Sequence, residues 1–400
     1  MTAPLEGIIV VAVEQAIAAP FATRQLADLG ARVLKIERPG DGDFARHYDA
    51  NVAGSSAFFV WANRGKQSLV LDLKADADRA ELDQLIAGAD VFVQNLAPAA
   101  AERAGLLAAQ VRERHQGIVA CGISGYGSDG PRADDKAYDM IIQGEAGAIS
   151  LTGSADASSK VGFSVADIAA AMYALSSILA ALHRRERSGE GATIELSMLE
   201  CLAEWTAAPT YSAVGRQTVP GRAGHRHAMI APYGVYPLAD GAEIVIAVQN
   251  QTEWRALCAE VFDNPALADD PRFATNAERI ANIDSFEPEL RAGLASAPAD
   301  EMIRRLDAAR IAWGSVNDPL GLWDHEQLRA RGRFVPTALP TGSFDTWLPP
   351  FNIDDHDLPS DPADPAGQAV RTAAAVPALG EHDPELVAEL HRRSRPGRSV

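Results

Sequence analysis

Hydrophobic and polar positions in the first 125 residues alternate between two periods. Short apolar runs at 8–13, 32–36, 68–73, 91–94 and 118–123 read as buried strands, and the stretches 21–29, 75–87 and 99–114 as helices between most of them. This alternation predicts an α/β fold, a doubly wound, mostly parallel, Rossmann-like sheet in a large domain. Ligands on such sheets bind beyond the carboxyl ends of the strands, here at 14–19, 37–38, 73–74, 95–96 and 124–127. Gly125, Gly127 and Gly130 spell a nominal dinucleotide fingerprint, but Pro131 and a polar stretch follow where the motif needs a helix. We read it as a turn-rich loop.

The segment 164–191 is the longest helical pattern. Ile168, Met172, Leu175, Leu179 and Leu182 fall on one stripe, and much of the remaining surface is alanine. Arg184, Arg185 and Arg187 suit the negative end of the helix, and Gly189 is a stop signal. Asp167 stands in the first turn and has two readings. With Ser164 it fits a capping box; alternatively, the helix start keeps it ionised as a covalent nucleophile.

Further on, 192–196 predicts a strand and 198–205 a helix. The runs 235–237 and 244–248 predict a hairpin through Ala239-Asp-Gly241; helices follow at 254–261 and 301–309, with a strand at 311–316. The stretch 265–283 reads as a polar connection, and the Pro- and Asp-rich chain from 339 to 377 as an extended arm over a surface. The resulting division is a large domain at 1–214, a smaller α/β domain at 215–320 and a C-terminal segment at 321–400 that returns to the large domain.

Composition narrows the function. Of 400 residues, 47% are hydrophobic, enough for sizeable cores, and the apolar runs carry charges or fall short of a membrane span. The first residues lack the basic region of a signal peptide. Three cysteines, few and scattered, suggest reduced thiols and a cytoplasmic setting. Acidic residues exceed basic ones by 54 to 36, a net charge of −18, which argues against nucleic acid or an anionic membrane as a partner. An anionic ligand therefore needs a local basic pocket.

Several strings in order resemble the class III acyl-CoA transferases, the formyl-CoA transferase or CaiB/BaiF-like proteins, and the related α-methylacyl-CoA racemases. They include Ala18-Ala-Pro20, Leu29 to Pro39, Asn63-Arg-Gly-Lys-Gln-Ser68, Leu71-Asp-Leu-Lys74, Ala89 to Asn95, Tyr138-Asp139, Asp167 and Arg187 to Gly191. The resemblance implies an interlocked, ring-like homodimer, coenzyme A as substrate with no tightly bound cofactor, and acyl-CoA and small carboxylic acids as partners. By position it carries CoA contacts onto Ala16, Ile17, Ala18, Arg38, Leu71, Lys74, Asn95, Leu96, Arg103 and Lys136. It makes Asp167 the catalytic residue, through an aspartyl anhydride and an aspartyl-CoA thioester. The racemase branch has a His before the Asp where this chain has Tyr138, which leaves isomerase as the alternative, beside an inactive CoA-binding protein. The oxalate-type members have a glycine-rich lid where this chain has 247–254, so the resemblance points away from oxalate. The second-domain string from Gly224 to Gly234 looks most like members handling dicarboxylates such as mesaconate, itaconate, citramalate, malate and succinate. Arg222 or Arg226 could hold a distal carboxylate, with His225 or His227 as further donors. A His-x-His metal pair lacks a third ligand nearby, and no metal is expected.

Overall fold

The computed structural model describes residues 3–219, 221–351, 353 and 375–382. They form two compact units. One takes in the described residues of Met1–Ala148, Val161–Arg216 and Glu326–Val400, the other Ile149–Lys160 and Gln217–His325. The segment Ile149–Lys160, assigned to the large domain from sequence, thus packs with the small unit.

The large unit is built on six parallel strands: β1 (Ile9–Val13), β2 (Arg32–Glu37), β3 (Lys66–Val70), β4 (Val91–Gln94), β5 (Val119–Ser124) and β6 (Ala192–Ser197). Their order is β3-β2-β1-β4-β5-β6, which confirms the doubly wound expectation. The order reverses between β1 and β4, so a crevice opens beyond their carboxyl ends. The buried faces of β1, β2, β4 and β5 supply a core on each side of the sheet. Helices in chain order are α1 (Ala18–Asp28), α2 (Ala57–Asn63), α3 (Asp76–Ala87), α4 (Pro98–Ala104), α5 (Ala108–Arg114), α6 (Asp139–Glu145), α7 (Ala148–Leu151, of which Ile149 onward is counted with the other unit), α8 (Val165–Ser188), α9 (Met198–Trp205) and α10 (Ala207–Arg216). The single helix expected over 99–114 is two, because Gly105 at φ 70 ends α4 in the left-handed conformation.

α8 runs against α1 and the sheet, and its buried side is broader than the expected stripe, of which Leu175 and Leu182 are in the core. Ala166, Ala170, Ala174, Ile178 and Ala181 face the core, whereas Met172 is 39% exposed. Close packing explains the difference: alanines let the backbone of α8 approach Ala18, Ala19 and Ala22 of α1, which larger side chains would prevent. Gly189 ends the helix at φ 70, as expected, and Arg185 pairs with Asp90 at 2.9 Å. By length and composition this 24-residue helix could cross a membrane, contrary to the sequence expectation; in this fold half of its apolar window lies inside the protein.

The small unit has an antiparallel sheet of β7 (Tyr233–Pro237), β8 (Glu243–Ala247) and β9 (Ala312–Ser315), in that order, with the expected β7–β8 hairpin. Helices α11 (Gln251–Ala256), α12 (Ala266–Asp269), α13 (Asn276–Ala281), α14 (Ile283–Leu294) and α15 (Ala299–Ala308) cover it around Trp254, Phe273 and Phe286. The supposed connection at 265–283 therefore contains helix, and a full capping box joins Thr275 to Glu278.

The supposed extended arm begins as a hairpin, β10 (Phe334–Leu339) with β11 (Gly342–Trp347). Much of the rest of 339–377 lies outside the described residues. Residues 375–382 lie along β3, where Gly380 N–H donates to Ser68 Oγ at 3.0 Å and His382 N–H to the Ser68 carbonyl at 3.2 Å.

Candidate active site

The crevice at the β1–β4 switch is a cleft of about 600 Å³ within the large unit. Its walls are the β1–α1 turn (Gln15 to Ala18), the chain after β4 (Asn95 to Pro98), the end of β5, and the loop that leads into α6. Asp167 lies on this wall with Tyr48, Phe44, Phe58, Tyr138, Asp139 and Met140. The topology thus brings seven of the sequence-assigned residues into one cavity: Ala16, Ile17, Ala18, Asn95, Leu96, Lys136 and Asp167.

The local chemistry of Asp167 corrects the capping-box reading and the idea that the helix start holds its carboxylate ionised. Ser164 occupies the cap of α8 but makes no side-chain capping bond. The Asp139 carboxylate takes that role instead: Oδ1 accepts the Ala166 N–H at 2.8 Å and the Asp167 N–H at 3.4 Å. Its other oxygen accepts Gln143 Nε2 at 2.6 Å, and Gln143 Oε1 accepts the Val161 N–H at 2.8 Å. A negative group therefore already occupies the helix start. Burial first, and then the charge on Asp139, push the Asp167 carboxyl up to about 7. Far from being held ionised by the helix end, Asp167 titrates near neutrality.

Tyr48 lines the same cleft, edge-on to Phe58 at 5.6 Å. Burial, then the charges on Asp43 and Asp167, raise its phenol to about 12, so it remains an O–H donor at neutral pH. Sequence reasoning missed Tyr48 because it lies on a loop without periodicity, and missed the capping role of Asp139 because the contact spans 28 residues.

The remaining assignments separate. Arg38, Lys74 and Arg103 are exposed and lie outside the cleft wall, and Arg38 Nε donates to the Gly42 carbonyl at 2.8 Å. The Leu71 side chain is a core residue, 4% exposed, so the contact expected of it is not available to that side chain. Asn95 lines the cleft, but its amide is committed to the Gln15 backbone, accepting the N–H at 3.0 Å and donating to the carbonyl at 2.8 Å. Lys136 is an exposed cation in the cleft beside Asp134 and Asp135.

The four substrate candidates all lie in the small unit. Arg222 donates to the carbonyls of Ser154 and Ala155, at 2.7 and 2.9 Å, and so ties down the excursion at 149–160. His225 Nε2 lies 3.1 Å from Glu287 and 2.9 Å from Arg291. The backbone of Arg226 bridges Gly234. His227 stacks on Tyr233 at 5.2 Å, and its Nδ1 accepts the Met229 N–H at 3.1 Å. Among the described residues no group of three or more His, Cys, Asp or Glu is placed to hold a metal ion.

Comparison with known proteins gives the family. The family model described as CoA-transferase family III matches residues 5–383. The chain is 34% identical over 385 residues to the acetyl-CoA:oxalate CoA-transferase of Acetobacter aceti, covering 94% of this chain and 96% of that protein. It is 32% identical over 400 residues to the succinate–glutarate CoA-transferase of Agrobacterium fabrum, covering 98% and 97%. With the succinyl-CoA:mesaconate CoA-transferase of Haloarcula hispanica it shares 30% identity over 397 residues, 96% of each chain. The crystal structure of a CaiB/BaiF family protein from Brucella suis superposes with a TM-score of 0.83 at 29% identity, over 98% of this chain and 100% of that one. A Rossmann-like order, an aspartate facing the switch-point cleft and a match along nearly the whole length lead to one conclusion: the chain belongs to CoA-transferase family III.

Proposed function

We propose that this protein moves CoA between a dicarboxylic acyl-CoA and a carboxylic acid, with Asp167 as covalent carrier. One observation carries the reading: Asp167 lines the cleft that joins the carboxyl ends of β1, β4 and β5. In the first step the Asp167 carboxylate attacks the thioester carbonyl, the C–S bond breaks, and CoA leaves as thiolate beside an aspartyl–acyl anhydride. The thiolate then attacks the aspartyl carbonyl, which releases the donor acid and leaves aspartyl-CoA thioester. The acceptor carboxylate attacks that thioester, and the same two exchanges in reverse produce the new acyl-CoA and free Asp167.

The site suits these steps. Burial that raises the Asp167 carboxyl also makes its anion a stronger nucleophile. The start of α1, which no side chain caps, opens on the cleft at Ile17 and Ala18, where N–H groups favour developing negative charge. The Tyr48 phenol adds a neutral donor. Ala16, Ile17, Ala18, Leu96 and Lys136 would flank the pantetheine arm, with Arg38, Lys74 and Arg103 as solvent-side partners for CoA phosphates. Isomerase chemistry is the weaker reading. A second base is needed, and the Asp139 carboxylate is engaged by Ala166, Asp167 and Gln143.

The names of the relatives support a dicarboxylic substrate, and since one is an oxalate enzyme, oxalate belongs among the acids to be tried. The active form would be the interlocked homodimer. The exposed apolar side chains of Trp205, Tyr211 and Val214, near the end of the large unit's helical chain, favour a covering partner.

Trapping tests the chemistry. Succinyl-, itaconyl-, mesaconyl- and acetyl-CoA, each mixed with free dicarboxylic acids including oxalate, would be quenched with hydroxylamine and peptide masses read. A hydroxamate at Asp167 with a new CoA ester is the expected result. A new ester with Asp167 unmodified in every mixture would refute the covalent role. Solvent deuterium at the α-carbon without an acceptor acid would establish the isomerase.

A further inference from the structure

Ala16, on the cleft wall, has φ 60, a left-handed conformation that non-glycine residues adopt at a cost of about 1 kcal/mol or more. Such a conformation persists only where neighbours over-determine it. On one side Asn95 grips both backbone groups of Gln15. On the other, Asp43 Oδ1 accepts the Ala16 N–H at 3.1 Å and the Ala45 N–H at 2.9 Å, while Oδ2 accepts Lys35 Nζ at 2.8 Å. The side chains of Asp43 and Lys35 are fully buried.

This contact belongs to a larger buried lattice. Lys66 Nζ donates to Glu14 Oε1 at 2.6 Å, to the Pro20 carbonyl at 2.8 Å and to Asn63 Oδ1 at 3.0 Å. The Asp43 N–H donates to Glu37 Oε2 at 2.9 Å, and Glu37 in turn pairs with Arg46 at 2.7 Å. Three acidic side chains (Glu14, Glu37, Asp43) thus pair with three basic ones (Lys35, Lys66, Arg46), and Asp43 joins this network to the strained turn. Buried ion networks of this kind are often no more stable than apolar packing of equal volume, so stability alone does not account for it.

We propose that Asp43 is a positioning residue: braced by Lys35, it fixes the strained Ala16 turn and so the Ala16–Ala18 backbone that faces the acyl group. The inference rests on the reading of this cleft as the transfer site. It acts through geometry, because a misplacement of about 1 Å beside a reacting carbonyl costs on the order of 100-fold in rate.

Four full-length variants test it: Asp43→Ala, Asp43→Asn, Ala16→Gly and Asp28→Asn. The last breaks a different buried cluster, in which Asp28 pairs with Arg24 at 2.6 Å and Arg64 at 3.0 Å, away from the turn. With a working donor and acceptor, kcat should fall roughly 10- to 100-fold in Asp43→Ala, with KM for the acyl-CoA changed less than about 3-fold. Asp43→Asn, which retains an acceptor for the Ala16 N–H, should recover part of that loss. Ala16→Gly loosens the turn with the lattice intact and should lower kcat without lowering Tm. Asp28→Asn should lower Tm and spare kcat. An unchanged kcat in Ala16→Gly overturns the proposal, even where Asp43→Ala fails to fold. So does an Asp28→Asn loss of kcat as large as that of Asp43→Ala at equal loss of Tm. If the wild-type protein transfers no CoA at all, the proposed function fails instead. The clamp is then judged by amide exchange: unchanged protection of the Ala16 N–H in Asp43→Ala overturns it, and faster exchange upholds it.

Discussion

Replacing Asp167 with asparagine should abolish transfer and yet stabilise the protein above neutral pH. The carboxyl titrates near 7 in the folded chain, against 3.8 for a free aspartate, because burial and the Asp139 charge oppose its anion. That gap corresponds to a ceiling of about 4 kcal/mol. Asp167 is only half-buried and faces an open cleft, so solvent screening reduces the figure to roughly 2 kcal/mol. The sign follows from linkage. A raised carboxyl pKa favours the protonated folded state, so this contribution is fully present below about pH 4 and is lost as pH rises through about 7. Asparagine mimics the protonated acid at every pH. The variant and the wild type should therefore melt together near pH 4, and the variant's advantage should grow to about 2 °C near pH 8. Calorimetric scans of both proteins from about pH 4 to pH 9 read this directly. A wild type that melts above the variant at alkaline pH, or a gap that does not change with pH, would refute the electrostatic account of the site.

The same carboxyl should govern turnover: kcat/KM should rise with pH on a limb near 7, since only the anion attacks. Asp139→Asn, which retains an oxygen for the Ala166 N–H but removes the charge, should move that limb down by about 1 pH unit, read from initial rates. Asn95→Ala removes both bonds to Gln15 and should cost about 1–3 kcal/mol by urea denaturation, with a fall in kcat as the turn loosens. Arg222→Lys cannot reproduce the two-pronged hold on the Ser154 and Ala155 carbonyls; a loss of stability with KM for the acid unchanged would mark Arg222 as structural, and a raised KM alone would restore it as a substrate ligand. At Gly191 a Cβ would overlap the Ile118 carbonyl where β6 begins, so Gly191→Ala should cost about 3 kcal/mol or more, seen as reduced soluble yield and Tm.

Much of the frame was legible along the chain. Apolar runs of strand length, separated by helical stretches, identified every strand of the large sheet, and the carboxyl ends of β1, β4 and β5 marked the cleft before any contact was known. Helix stops written as single residues, such as Gly189, were legible for the same reason: backbone preference is a local property. Where alanine competed with leucine the pattern found only part of the buried face. Leu175 and Leu182 of the expected stripe are in the core, but the fold also buries the row of alanines beside them, so that two helices can approach.

The sequence by itself determined that this chain makes a doubly wound parallel sheet, and it singled out Asp167 at the start of the longest helix as the candidate nucleophile. Only the tertiary structure decided what surrounds that residue. Asp139 caps α8 in place of Ser164, Asp43 reaches Ala16 across a strand, and Asn95 braces Gln15 although 80 residues separate them. Periodicity records how each segment meets a core. It carries no information about which distant charge fills a helix end, and that charge, added to burial, sets the state of Asp167 near neutral pH.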